Sequence, residues 1–328
     1  MKKSIFIFIL VLSSILSSKA QLFKKDQAFA HTFSIVARDS ITGEMAVAVQ
    51  SHWFAVGTLV CWAKSGVGVV ATQSFINPAF GPQGLALMEK GKTAKEALEQ
   101  MIKADPGRDL RQLALLDVHG QVFSYTGANC VQSAHHIIGK NFAVQANMML
   151  NDEVVPAMAK AFRKNANLPL AERVLQVLLA AQEAGGDIRG KQSAALLVVG
   201  PKKVPEWKDK LVDLRVDDNP EPLSELSRLL IIHRAYEHMN NGDLAVENKN
   251  MPLALKEYGA AEKLQPANIE MKFWTAITLS NNGKINKALP LFKLVFEKDS
   301  HWKEMTKRLP KAGLLNVSKK QLDSILNQ

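Results

Sequence analysis

A threonine at the head of a strand has the most chemistry within reach. Thr32 begins the run TFSIVAR (32–38). A Thr at a free N-terminus can act as its own nucleophile and base. Its hydroxyl attacks, and its α-amino group, with an ordinary pKa of about 7.7–8.0, takes the proton. This requires a cut between His31 and Thr32. In an uncut chain Thr32 is a β-former in a strand, which is the commoner role. Other familiar sites are missing. The sequence has no Gly-x-Ser-x-Gly, no His-Glu-x-x-His, no Cys-x-x-Cys, no Gly-x-Gly-x-x-Gly and no Walker sequence. His135 and His136 are neighbours, which on a strand point to opposite faces. A metal site would need ligands from elsewhere, so no metal or cofactor is expected.

The elements that must carry Thr32 are strands with turn signals between them. Thr32 to Arg38 and Glu44 to Gln50 flank the turn cluster DSITG (39–43), a hairpin signature. Thr58 to Ala63 and Gly66 to Thr72 read as a second strand pair. Gly81-Pro82-Gln83-Gly84 reads as a break. Leu85 to Lys103 follows with helical spacing, and Thr93 is the expected N-cap of Ala94 to Ile102. Leu113 to Asp117 and Val122 to Thr126 flank His119-Gly120 as another hairpin. Phe142 to Asn147 reads as a strand, and Glu153 to Lys164 and Ala171 to Ala184 as helices. Ser193 to Gly200 is a near-continuous apolar strand, expected to be buried on both faces. Hairpins make antiparallel sheets, and paired helices pack together. The fold class expected is α+β, with sheets covered by helices.

After Pro220 and Pro222 the strand signals stop. Ala254, Tyr258, Ala261 and Pro266 recur as Ala288, Phe292, Val295 and Ser300, each 34 residues on. That spacing matches the tetratricopeptide period, and Gly283 falls where paired helices turn. The tail over 221–328 reads as an all-α module. It either holds a partner peptide or caps the body.

The formal charge is +10, with 41 basic and 31 acidic residues. The excess sits at the ends, and residues 32–249 balance to zero. A nucleic-acid partner for the body gets no support from charge. Met1-Lys2-Lys3, the apolar stretch to Leu16 and Ser18-Lys19-Ala20 read as a signal peptide over 1–20. Residues 21–31 are then a short leader. The compartment expected is periplasmic or extracellular, with no transmembrane segment in the mature chain. Such a compartment permits a disulfide between Cys61 and Cys130, although two separately buried thiols fit equally well.

Several blocks together carry a family resemblance. HTFSIVARD (31–39), AVAVQSHWFAVG (46–57), SGVGVVATQSFINPAFGPQGL (65–85), YTGANC (125–130), GGDIRGKQSAALLVV (185–199) and RVDDNPEPLSELSRLL (215–230) follow in order. Over about residues 31 to 235 the chain resembles the bacterial family called domain of unknown function 1028. That family is assigned to the N-terminal-nucleophile hydrolase fold, a four-layer αββα sandwich, here expected over 32–220.

The resemblance implies roles for particular residues. Thr32 stands where such hydrolases keep their nucleophile. Gln145-Ala146-Asn147 stands where relatives offer oxyanion donors, with Ala where the pattern leads to Gly, and Asn147 is the expected donor. Asp187 stands where proteasome-like enzymes keep an Asp that supports the nucleophile, with Gln192 and Ser193 after it. The second strand has no lysine to match the proteasome-like base, and His52 is the nearest candidate. Ser51, Gln73, Gln145 and Gln192 are the expected substrate contacts. The function expected is hydrolysis of a small amide or peptide. The other reading is a non-catalytic envelope protein whose helical repeats recruit a protein partner. Either is compatible with a homo-oligomer.

Overall fold

The computed structural model describes residues 29–30 and 32–328. The expected signal peptide and leader therefore lie outside the described residues, apart from Phe29 and Ala30. The chain divides into two compact units, one ending at Leu223 and one beginning at Ser224.

The first unit is built on two antiparallel sheets. Its strands are β1 Phe29–Ala30, β2 Thr32–Arg38, β3 Met45–Ser51, β4 Cys61–Lys64, β5 Gly68–Phe75, β6 Arg111–Asp117, β7 Val122–Thr126, β8 His135–Gly139, β9 Phe142–Ala146, β10 Ser193–Val199 and β11 Lys210–Val216. One sheet has the order β11-β10-β3-β2-β9-β8. The other runs β1-β5-β6-β7, with β4 also paired to β5. β2 is therefore central, hydrogen-bonded to β3 on one side and β9 on the other.

Period-two alternation decides what each face meets. Val36, Val47, Val49, Ala195 and Leu197 of the six-stranded sheet share a core with Val69, Ala71, Ala114 and Leu116 of the other. The alternate residues Val70, Leu113 and Leu115 pack under helices α2 Phe80–Glu89 and α3 Ala94–Ala104. Helices α4 Val154–Lys164 and α5 Leu170–Glu183 cover the outer face of the six-stranded sheet. On that face Phe142 meets Phe162 of α4 at a ring separation of 4.5 Å.

Local chemistry explains where the elements differ from expectation. Residues 57–60 (Gly57–Val60) form a single helical turn, α1, and the strand begins only at Cys61. Gly81-Pro82 lies inside the first turn of α2 and does not break the chain. Proline needs no partner for its missing N–H there, and Gly81 leaves room for the Trp62 ring, which a Cβ would meet at 2.2 Å. Thr93 caps α3 with a full capping box to Glu96. The edge strands β8 and β11 escape the sequence reading because each is half-exposed and interrupted by His, Lys, Asp or Arg. Cys61 and Cys130 are both free thiols, so the permitted disulfide is not formed. Cys61 sits in the core between the sheets, where burial pushes its pKa up.

The second unit is helical, comprising most of α6 Pro222–Glu247 together with α7 Met251–Leu264, α8 Ile269–Asn281, α9 Ile285–Lys298, α10 His301–Arg308 and α11 Lys319–Leu326. The residues of the 34-residue spacing, Ala254, Tyr258, Ala261, Ala288, Phe292 and Val295, are all buried. Gly283 turns the chain between α8 and α9 with φ +71°. No described helix is long and apolar enough to cross a membrane.

Candidate functional site

Register puts four polar residues in one row. Thr32 pairs with Ser51 across β2–β3, and Ser51 pairs with Ser193 across β3–β10. On the other side, the Asn147 backbone N–H donates to the Thr32 carbonyl at 3.1 Å. Residues opposite one another in a sheet share a face. Thr32 is in phase with Val36, Ser51 with Val49 and Ser193 with Ala195, all of which face the opposing sheet. The row Asn147, Thr32, Ser51, Ser193 thus faces the inter-sheet space at one end of the sandwich. All four residues are fully buried.

The opposing sheet answers with amides. Gln73 and Gln112 pair directly across β5–β6. The Gln73 Nε2 donates to the Thr32 carbonyl at 3.0 Å and to Gln112 Oε1 at 2.7 Å. Ser34 Oγ donates to Gln73 Oε1 at 2.6 Å. Asn147 Nδ2 donates to Gln112 Oε1 at 2.8 Å. Gln145 Nε2 donates to Ser34 Oγ at 3.2 Å and the Ala71 carbonyl at 3.3 Å, while its Oε1 accepts from Ser124 Oγ at 3.1 Å. Buried amides cost several kcal/mol, roughly 2–7, when left unbonded. Here they are joined into one network, which holds the Thr32 backbone from both sheets.

The loops around this end are unusual. Of the six non-glycine residues with left-handed φ among the described residues, three lie in these loops and a fourth in the last two residues of β5 beside them. These are Ala55 (φ 54°) after β3, Ser74 (φ 72°) at the end of β5, Ser133 (φ 54°) before β8 and Met148 (φ 58°) after β9. Such strain costs about 1–3 kcal/mol per residue and gathers at functional sites. Exposed apolar side chains stand in the same loops: Phe54, Val131, Leu150 and Ile188. Backbone bonds from Met148 to Val131, Ile188 to Met148 and Leu150 to Gly186 tie three of these loops together.

The remaining expected residues take other places. Asp187 is buried, and its carboxylate accepts from Arg189 Nε (3.0 Å), from Arg189 NH2 (2.7 Å) and from the His52 backbone N–H (3.2 Å). It anchors the 52–56 turn through backbone. Ser193 Oγ does the same, donating to the Trp53 carbonyl and accepting from the Val56 N–H. The His52 ring stands exposed at the surface, away from the network. Gln192 donates outward to Asp218 at 3.2 Å, on the opposite phase from Ser193. Thr32, Ser51, Asn147, Gln73, Gln145 and Ser193 are therefore brought together, while His52 and Gln192 are not.

Sequence reasoning missed the network's centre, Gln112, and its neighbours Ser34, Ser124 and Thr126. The usable signal was a polar residue in the core-facing phase of an apolar strand, as Gln112 is with Ala114 and Leu116. Among the described residues no group of three or more His, Cys, Asp or Glu is placed to hold a metal ion.

A family described as "Family of unknown function (DUF1028)" matches residues 32–226 of the chain. Among solved structures, that of protein SPO2555 from Silicibacter pomeroyi, of the same family, is 30% identical. It aligns with a TM-score of 0.55, over 61% of this chain and 84% of that one. No curated protein matches.

Proposed function

Because the chain belongs to the DUF1028 family, whose function is unknown, its chemistry must come from its own residues, and we propose that it is an exported amide hydrolase of the N-terminal-nucleophile type. The observation that supports this most is the position of Thr32. It opens the central strand of one sheet, faces the other sheet, and has its carbonyl held by an amide from each. Two sheets packed face to face, with helices outside both, are what such hydrolases use to hold a strand-end nucleophile.

In this reading the peptide bond between His31 and Thr32 is cut, freeing the Thr32 amine. The Thr32 hydroxyl oxygen then bonds to the substrate carbonyl carbon, and its proton passes to the α-amine. The Asn147 amide, oriented by Gln112, donates to the developing oxyanion; such a donor is worth about 10²–10³ in rate. The C–N bond breaks, and the leaving amine takes the proton from the Thr32 ammonium. Water, deprotonated by the Thr32 α-amine, then adds to the acyl carbon; the ester C–O bond breaks, the acid leaves, and the ammonium returns its proton to Thr32 Oγ. Asp187 and Ser193 act by shaping the 52–56 turn beside the row.

A second reading rests on a specific observation. Ala30 pairs with Ser74 in one sheet, while Thr32 pairs with Ser51 in the other. An uncut chain therefore passes from sheet to sheet directly before Thr32. In that state the protein is a binding scaffold whose helical unit recruits a partner. A screen of small amides and short peptides with wild type and Thr32→Ala separates the two. The hydrolase reading expects at least one substrate whose turnover falls by about a thousandfold or more in Thr32→Ala. Equal turnover by both proteins would sink it.

A further inference from the structure

One hydrogen-bonded chain leads from the amide network to the edge of its sheet. Gln112 Oε1 accepts from two N–H donors, Gln73 and Asn147. That decides which end of the Gln112 amide is oxygen. Its Nε2 must then donate, and its nearest acceptors are the Ala146 carbonyl and Thr126 Oγ1, both at 2.9 Å, with the His135 carbonyl farther off at 3.2 Å. Thr126 Oγ1, having accepted, has its own proton to give. His136 Nδ1 lies 2.8 Å away. The consistent assignment has His136 neutral, with Nδ1 accepting and the proton on Nε2.

We propose that His136 is a positioning residue for the Thr32 site, fixing the Gln112 and Asn147 amides through Thr126. Its consequence for turnover rests on the nucleophile reading above; the coupling itself rests on the bonds just described.

Protonated, both ring nitrogens of His136 become donors. Thr126 Oγ1 can accept from His136 and Gln112 together, but its own proton would lose its acceptor and the hydroxyl would have to rotate. That rotation re-aims the lone pair that holds Gln112, whose oxygen orients Asn147. The surroundings favour the neutral ring. Burial lowers the His136 pKa from the ordinary histidine value, and the neighbouring His135 lowers it further. The facing groups on β9, β7 and β6 are Gln145, Thr126 and Gln112, none of them charged. Helix α4, packed against β8, carries Lys160, Arg163 and Lys164, but it covers the outer face of the sheet, the opposite one from Gln145 and His136. On linkage, a histidine held neutral in the fold supports the site above its lowered pKa and withdraws that support below it.

The test uses the full-length ¹⁵N-labelled protein, following the side-chain amides of Gln112 and Asn147 and the His136 ring as pH falls through the histidine range. The expected result is that the amide signals shift with the same midpoint as the His136 ring. His136→Asn, whose Oδ1 can take the place of Nδ1 as acceptor, should keep the amides in their high-pH positions and abolish their titration. His136→Leu should displace them at every pH. For substrate turnover, or for cutting before Thr32, about a tenfold loss is expected in His136→Leu and recovery to within about threefold in His136→Asn. Amide signals that stay still while His136 titrates would overturn the coupling. Amides that follow His136 in a protein with no Thr32 chemistry would uphold the coupling and remove the nucleophile reading instead.

Discussion

The two ends of the sandwich are made from the same strands and differ in what they put between the sheets. At one end the facing residues are Val36, Val47, Val69, Leu116, Leu197 and Val199. Two to four residues along the same strands they become Thr32, Ser34, Ser51, Gln73, Gln112 and Ser193. The apolar end closes with compact turns. Asp39 accepts from the N–H groups of Ile41 and Thr42 at 2.7 Å, and Asp117 accepts from those of His119 and Gln121 at 2.9 and 3.0 Å. The polar end carries four left-handed non-glycine residues, three in its loops and Ser74 in the last two residues of β5. A fold seeking stability alone would carry the apolar pattern through. The difference teaches that stability is concentrated at one end and polar organisation at the other.

That contrast can be broken or sharpened by substitution. The largest effect is expected from Leu116→Ala at the apolar end. It leaves a cavity between the sheets and should cost about 3 kcal/mol in denaturant unfolding, with the amide signals of the polar end unmoved. Gln112→Leu should cost about 2 kcal/mol, because Gln73 and Asn147 lose a buried acceptor. Unlike Leu116→Ala, it should also abolish any Thr32 chemistry. If Gln112→Leu stabilised the protein and left that chemistry intact, the polar end would be ordinary core.

Ala55→Gly tests the strain. Glycine accepts φ 54° without penalty, so the variant should gain about 0.5–1 kcal/mol. A loss would mean that the loop is relaxed as it stands.

The smallest effect concerns Asp39 and pH. Burial alone would raise its pKa, but hydrogen bonds from Thr42 and Ile41 outweigh burial and lower it. A lowered folded pKa gives stability that is present above the unfolded value of about 3.9. It is lost as pH falls through the lower folded value. Because this carboxylate is only half-buried and its charge is screened by solvent, Asp39→Asn should remove only a few tenths of a kcal/mol. It should also flatten the acid limb of the stability curve. An unchanged acid limb would show that the turn does not depend on the charge.

What the sequence makes legible follows from which signals are local. The hairpin at 39–43, the capping box at Thr93 and the core run at 193–199 are written in adjacent residues. The helix beginning at Phe80 is not, because its Gly81-Pro82 mimics a break, and only the Trp62 ring lying against Gly81 explains the glycine. Thr32, Asn147 and Ser193 were nameable from position in a recognised pattern. Gln112 was not, since its importance comes from facing Gln73, Asn147 and Thr126 across register no single segment encodes. Asp187 shows the converse. Its place in the chain pointed toward Thr32, while its carboxylate spends its bonds on Arg189 and the backbone of His52. The orphan edge strand β8 matters for the same reason, as it brings His136 to the end of the amide chain.

The most direct test is the N-terminus of the matured protein. Full-length wild type and Thr32→Ala would be expressed side by side and read by intact mass and N-terminal sequencing. The account predicts wild-type protein beginning at Thr32; where Thr32 itself makes the cut, the Thr32→Ala protein retains His31 and the residues before it. Wild-type protein that keeps the His31–Thr32 bond under every condition, and begins upstream of it, would contradict the account.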